Sequence, residues 1–254
     1  MKILEISGIT KEFGGIKALN NVSFSINKGT ITALIGPNGA GKTTLINILS
    51  GFLKADEGKI LFKGKDITGL PPYKLARIGI TRTFQGTRLF PQLTALENIL
   101  LAIRFRYGER LDDVIFKSGK ISEEERRNTE KALNILKLVG LIDKKDELAE
   151  NLSYGQRKLL ELGRALATGA ELFLLDEPFA GVFPEMRKKI ASVIKDMKNM
   201  GKTIIFIEHM MDIVAEISDR AIVLKHGEKI AEGSTPDVLK DERVIREYLG
   251  GGEI

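Results

Sequence analysis

The stretch Ile31-Thr32-Ala33-Leu34-Ile35-Gly36-Pro37-Asn38-Gly39-Ala40-Gly41-Lys42-Thr43-Thr44 decides how this chain is read. Five mostly apolar, β-prone residues run into a glycine-rich loop, and Leu45, Ile46, Ile48 and Leu49 follow at helical spacing. A strand, a loop of Gly, four residues and Gly-Lys-Thr, then a helix is the phosphate-loop pattern. Glycines let the backbone pass through φ > 0 and come close to a ligand. The loop N–H groups and the helix N-terminus then face a phosphate. Lys42 is placed to reach the β- and γ-phosphates of a nucleotide, and the Thr43 hydroxyl to ligate Mg²⁺. Gly36, Pro37, Asn38, Gly39, Ala40, Gly41, Lys42, Thr43 and Thr44 are thus the candidate nucleotide-binding residues. The competing reading, a plain glycine turn before a helix, leaves the match of both flanks unexplained.

Further along the chain, polar residues stand at the ends of apolar runs. Glu171-Leu-Phe-Leu-Leu-Asp176-Glu177 reads as a buried parallel strand ending in two carboxylates. Asp176 supplies a hard oxygen for Mg²⁺, and Glu177 can act as general base toward a water. Neighbouring side chains on a strand point opposite ways, so the two carboxylates take separate roles. Ile80–Phe84 is a strand candidate ending at Gln85, and Thr203–Glu208 is a buried strand with His209 just beyond it. Strand ends of an open α/β sheet face the crevice where ligands sit, so Gln85, Asp176 and His209 point to a common site. His226 falls in a hairpin turn and reads as surface. Phe13 stands beside Gly14-Gly15, where an aromatic can stack on a base or simply fill the core. Ser153 and Gly155, in Leu152-Ser-Tyr-Gly-Gln156, open a helix whose N-terminus can hold an anion; a plain N-cap is the alternative.

Composition sets outer limits. A chain of 254 residues accommodates one large domain, or one domain with an inserted subdomain. With 43% hydrophobic and 29% charged residues it reads as globular and soluble. No apolar run approaches the ~20 residues that cross a bilayer. The start, Met1-Lys-Ile-Leu-Glu, is too soon charged for a secretory signal, so a cytoplasmic location is expected. Absence of cysteine excludes a disulfide framework and a thiolate metal site, and two histidines are too few for a histidine-built zinc site. The net charge of +5 could suit nucleic acid or an anionic membrane, but Lys and Arg are interspersed with Asp and Glu in no long basic run. That reads as solvated surface. Missing Cys and Trp beside many Lys and Glu resembles a thermophile composition.

Residues 2–34 read as short strands, with turns at Gly14-Gly15 and Lys28-Gly29. Lys59–Lys63 is another strand, and Leu70-Pro71-Pro72 breaks the chain. From about 87 to 168 the pattern is helical. Thr94 is a plausible N-cap for Ala95–Phe105, and Ser122-Glu-Glu-Glu125 has capping-box spacing before a helix to about Val139. Glu123 with Arg127 and Arg126 with Glu130 form i,i+4 pairs on a solvated face. Pro184 starts a helix with Ile190, Val193, Ile194 and Met197 on one side, and Gly201 ends it. Thr235–Leu249 looks helical.

The ordered set Gly36–Thr44, Gln85, Leu152–Gln156, Leu172–Glu177 and His209 resembles the ATP-binding-cassette ATPases, over almost the whole chain. The resemblance implies an α/β fold: a P-loop NTPase (RecA-like) core with an antiparallel β subdomain and an inserted helical subdomain. It places the antiparallel part at roughly 1–30 and 56–68, the core at 31–55, 69–86 and 169–254, and the helical part at 87–168. It also implies ATP and Mg²⁺ as ligands, and two ATPase subunits joined head to tail with each ATP between one phosphate loop and the other subunit's Ser153, Gly155 and Gln156. Phe13 then matches the aromatic that stacks on adenine. Gln85 matches the residue that senses Mg²⁺ and water and moves with the membrane partner. Glu177 matches the catalytic base, and His209 the residue that contacts the γ-phosphate and orients base and water.

Arg82-Thr-Phe-Gln85, Arg88-Leu-Phe90, Leu96-Glu-Asn98, Leu152-Ser-Tyr-Gly155, Ile230-Ala-Glu-Gly233 and Val244–Gly250 are similar to the ATP-binding subunits of branched-chain amino-acid importers. So is the long helical insert. Such subunits sit on the inner face of the cell membrane, pair with themselves or a sister ATPase, and work with membrane permeases and an external binding protein. No nucleic-acid partner is expected. Tyr154 replaces the usual glycine of the signature, which the importer subgroup tolerates. Phe183 stands where the family usually has Asp or Asn and cannot make that residue's polar link across the interface. Three other readings compete. A lipid or lipopolysaccharide exporter ATPase has a similar cassette. A cassette ATPase acting on nucleic acid or ribosomes usually carries two cassettes or a long coiled coil, which this chain lacks. A nucleotide-binding module without turnover does not call for Lys42, Asp176, Glu177 and His209 together.

Overall fold

The structure is a computed structural model and describes residues 1–103 and 118–249. In chain order its elements begin β1 (Lys2–Phe13), β2 (Ile16–Asn27), β3 (Ile31–Ile35), α1 (Lys42–Leu49), β4 (Glu57–Phe62), β5 (Lys65–Asp66), α2 (Pro72–Ile78) and β6 (Ile80–Arg82). Then come α3 (Ala95–Leu100), α4 (Ser118–Leu138), α5 (Tyr154–Ala167), β7 (Leu172–Asp176), α6 (Pro184–Asn199) and β8 (Thr203–Ile207). The chain closes with α7 (Met211–Ile217), β9 (Arg220–Lys225), β10 (Glu228–Ser234), α8 (Thr235–Lys240) and α9 (Glu242–Leu249). Two compact units form, one from Met1–Gln85, Glu171–Ala180 and Ile194–Ile254, the other from Gly86–Ala170 and Gly181–Val193.

The first unit holds two sheets. One is antiparallel, in the order β2-β1-β4-β5. Gly14 and Gly15 join β1 to β2 with φ of 54° and 87°, the backbone that a two-residue hairpin turn needs. β1 and β2 span 12 residues each, not the short strands expected, because register shifts such as that between Ile6 and Ile9 let pairing continue past the irregular positions. The other sheet runs β10-β9-β3-β8-β7-β6, parallel except where β10 turns back on β9 at His226-Gly227. Every residue of β3, β7 and β8 is buried, as parallel strands covered on both faces require. β6 ends at Arg82, two residues short of the expected Phe84. Thr83 N–H still donates to Leu174 O at 3.0 Å, after which Phe84 leaves the sheet to meet Phe52 edge-on at 5.5 Å.

One apolar core joins the two sheets: Ile6, Leu19, Ile26 and Ile60 cluster with Leu34, Leu174, Ile207 and Ile222, and with Leu45 and Ile46 of α1. The phosphate loop is thus held at both flanks, by a central strand and by a helix whose apolar face is sealed.

In the second unit α3, α4 and α5 pack on one another, burying Ile99, Ala132, Leu136, Leu159 and Leu160. Thr94 caps α3 in a reciprocal box with Glu97, as expected, but α3 ends at Leu100, and the expected end at Phe105 lies outside the described residues. Ser122 is not an N-cap. α4 already starts at Ser118, so the Ser122–Glu125 spacing is an ordinary i,i+3 pair inside a helix. The anticipated surface pairs form, Arg126 to Glu130 at 2.7 Å and Arg127 to Glu123 at 3.8 Å.

Candidate functional site

Where β3 ends, the chain bends through Gly36 at φ 153° and Gly41 at φ 99°. A Cβ at Gly36 would lie 2.1 Å from Leu224 O, and one at Gly41 would lie 2.5 Å from Ala18 O. Only glycine fits these two points, where the loop threads between β9 and β2. Gly41 is the N-cap of α1, no side chain caps that helix, and no acidic residue stands in its first turn. Its N-terminal N–H groups are therefore presented for an anion. Lys42, 6% exposed, is folded back so that Nζ donates to Gly36 O at 2.7 Å and Pro37 O at 2.9 Å. Burial lowers its pKa, while the Glu177 charge pulls the other way. A cavity of about 200 Å³ is lined by Asn38–Thr44 with Ala18, Glu177 and His209. That volume suits a phosphate tail, since whole organic ligands take roughly 300–1,000 Å³.

Glu177 leaves β7 at φ 46°, a left-handed backbone that redirects its side chain out of the strand alternation. Gln85 Nε2 donates to its Oε2 at 2.9 Å, and His209 Nε2 stands 3.4 Å from its Oε1. Each carboxylate oxygen thus faces a different side chain, from two different strand ends. Asp176 is 7% exposed at the last position of β7.

The second unit presents the expected signature. Ser153 caps α5: its hydroxyl accepts the Gln156 N–H at 3.3 Å, and Gln156 Oε1 accepts the Ser153 N–H at 2.9 Å. Gly155 is buried, and a Cβ there would lie 2.4 Å from Met186 Cγ. Tyr154 lies over Gly181, and Phe183 is 84% exposed.

Residues 19–180 match the family model described as ABC transporter. The chain belongs to the ABC transporter family. Among relatives of this cassette, the probable branched-chain amino acid transport ATP-binding protein LivG of Archaeoglobus fulgidus is 45% identical over 250 residues, covering 98% of this chain and 96% of the relative. The high-affinity branched-chain amino acid transport ATP-binding protein LivG of Escherichia coli is 38% identical over 249 residues, covering 98% of both. A crystal structure of an ATP-binding cassette of an ABC transporter in its ADP conformation has a TM-score of 0.85 at 43% identity, covering 98% of this chain and 99% of that one. The fold is accordingly that of a P-loop NTPase core with an antiparallel β part and a helical insert.

In this cassette the structure brings Lys42, Thr43, Glu177 and His209 to one cavity, with Gln85 bonded to Glu177. Phe13 is no core residue. It is 47% exposed at the β1–β2 turn, outside the cavity wall, with Lys11 Nζ 5.3 Å from its ring centre. Ser153, Gly155 and Gln156 belong to the other unit.

Two charged residues went unread as site residues. Arg82 Nη2 donates to Asp176 Oδ2 at 2.8 Å while Nη1 reaches Asn47 and Ser50 at the C-terminal end of α1. Glu208, 3% exposed, accepts the N–H groups of His209 and Met210. For Glu208 the signal in the sequence was a charge directly after an apolar strand, and for Arg82 a charge closing a short mixed one. Among the described residues no three His, Asp or Glu side chains form a cage for a metal ion. A divalent cation here would share its shell with phosphate oxygens and water, the usual habit of Mg²⁺.

Proposed function

We propose that this cassette is the motor subunit of an importer, hydrolysing Mg²⁺·ATP to drive branched-chain amino acids through membrane permeases. The observation that carries the hydrolytic reading is the Glu177 carboxylate, with Gln85 on one oxygen and His209 at the other, on the wall of a cavity lined by the phosphate loop. Held from both sides, Glu177 is aimed at a water and takes its proton as the water attacks the terminal phosphorus. His209 and Gln85 fix the carboxylate, and Lys42 and the α1 N–H groups offset charge on the phosphates. Thr43, Asp176 and Gln85 would hold Mg²⁺, an all-oxygen donor set that suits that ion, and the ion would supply charge neutralisation at the phosphate oxygens. Phe13, exposed at its hairpin, would stack on adenine.

The amino-acid transport reading is supported by the relatives, which are described as branched-chain amino acid transport ATP-binding proteins and match along nearly the whole chain. No helix among the described residues is long and apolar enough to cross a membrane. Permeation would belong to partner subunits. The cassette would act at the inner membrane face with a second ATPase subunit, identical or a sister, whose ATP meets this chain's Ser153, Gly155 and Gln156. An external binding protein would deliver the amino acid.

Replacing Glu177 with Gln keeps shape and removes the base. ATP affinity is expected within about threefold of wild type and turnover down at least ~100-fold. Wild-type turnover in that variant would remove Glu177 from the mechanism. Vesicles holding the chain with its permeases should take up leucine, isoleucine or valine only with ATP; hydrolysis without such uptake would overturn the importer assignment.

A further inference from the structure

All five residues of β8 are buried, and four of them are Ile or Phe. The next position, Glu208, is 3% exposed. A carboxyl in that place costs free energy that an Ile or Val continuing the strand would not. Its Oε2 is sealed from solvent and has no hydrogen-bond partner. Burial pushes its pKa up. What the carboxyl bonds lies on one side only: Oε1 accepts the His209 N–H at 3.0 Å and the Met210 N–H at 3.4 Å. Those two N–H groups stand at the entry to α7, whose N-cap, Met210, has no side-chain acceptor to offer. The same short turn carries the His209 imidazole, whose Nε2 lies 3.4 Å from Glu177 Oε1.

We propose that Glu208 is a positioning residue for ATP hydrolysis: its buried carboxyl pins the backbone of His209 and Met210 and thereby sets the imidazole against Glu177. The assignment rests on the roles given above to Glu177 and His209. Glu208 touches no reacting atom. It acts through His209, and its effect should vanish when His209 is gone. A carboxyl that only capped α7 would affect folding without any special tie to the imidazole.

The chain has two histidines, so the imidazole ¹H–¹³C signals of the full-length protein separate into His209 and a built-in control, His226 in the β9–β10 turn. In Glu208→Leu the His209 signals should shift or broaden while those of His226 stay. Turnover should fall roughly 10- to 100-fold, since a misplacement of about 1 Å costs up to ~100-fold, with ATP affinity nearly unchanged. Glu208→Gln, which keeps a carbonyl acceptor, should stay within about threefold of wild type; and in a His209→Ala background Glu208→Leu should cost less than about twofold. Should Glu208→Leu not fold, Glu208→Asp, one methylene short, takes its place. His209 signals that do not move, or a loss that multiplies fully onto His209→Ala, would overturn the role. A wild-type chain that hydrolyses no ATP would instead sink the ATPase reading, and the imidazole spectrum would still decide what Glu208 holds.

Discussion

Arg82 donates from Nη2 to Asp176 Oδ2 at 2.8 Å, and the two side chains are 7% and 10% exposed. The same guanidinium bonds Asn47 and Ser50 of the α1 end and lies 4.9 Å from the Phe84 ring centre. One cation thus ties β6, the C-terminal end of α1 and the carboxylate proposed for Mg²⁺. Arg82→Leu leaves Asp176 buried without its counter-charge and should destabilise the fold by about 3–5 kcal/mol. Urea unfolding checks this, and a loss under about 0.5 kcal/mol would mean that the pair contributes nothing.

Gly41→Ala puts a Cβ 2.5 Å from Ala18 O and 2.8 Å from Leu19 Cδ2, at a φ of 99° that L residues avoid. Strain of roughly 1–3 kcal/mol is expected, and the loop can relieve it only by turning its N–H groups away from the cavity. Binding of a fluorescent ATP analogue should weaken at least ~10-fold. Unchanged affinity would show that the loop does not need this backbone.

Gly155 tests the second unit. Ala there meets Met186 Cγ at 2.4 Å and Val182 Cγ1 at 3.1 Å. Overpacking costs about 1–3 kcal/mol, set against a gain of up to ~1 kcal/mol from replacing Gly inside a helix. Gly155→Ala is therefore expected to destabilise, and Met186→Ala to remove that penalty when the two are combined. A double-mutant cycle from denaturant unfolding gives the coupling, and strict additivity would rule the contact out.

Glu208 gives a pH signature. Burial, with the Glu177 charge adding to it, raises its pKa above the usual 4.5, while the His209 and Met210 N–H bonds and the His209 charge oppose. The native state therefore keeps this proton after the unfolded chain has released it. The stabilisation from this group is complete below the unfolded value and is lost as pH rises through the folded one. Glu208→Gln cannot titrate. Wild type should lose stability relative to that variant as pH rises above 4.5. Parallel stability curves across this range would contradict the shift.

The phosphate loop was legible because its glycines and lysine carry their chemistry locally; Gly36 and Gly41 need no distant partner to be recognised. Gln85, Glu177 and His209 were legible because each stands just past a candidate strand, and the ends of parallel strands gather at one edge. Arg82 and Glu208 were not, since a charge in a linear string looks solvated until the fold buries it. Ser122 misled for the converse reason: serine three residues before glutamate marks a helix start only when no turn precedes it. The packing need at Gly155 was hidden, because Met186 is 31 residues away along the chain.

The contact of Lys42 with Gly36 O and Pro37 O has a consequence for how a nucleotide arrives. The ammonium is already clasped by two carbonyls of its own loop, so an incoming phosphate does not recruit a wandering side chain from solvent. Two of its three N–H donors are engaged by the loop, and the third is left to offer. The cation that would meet a phosphate is thus already set in place by the backbone of its own loop.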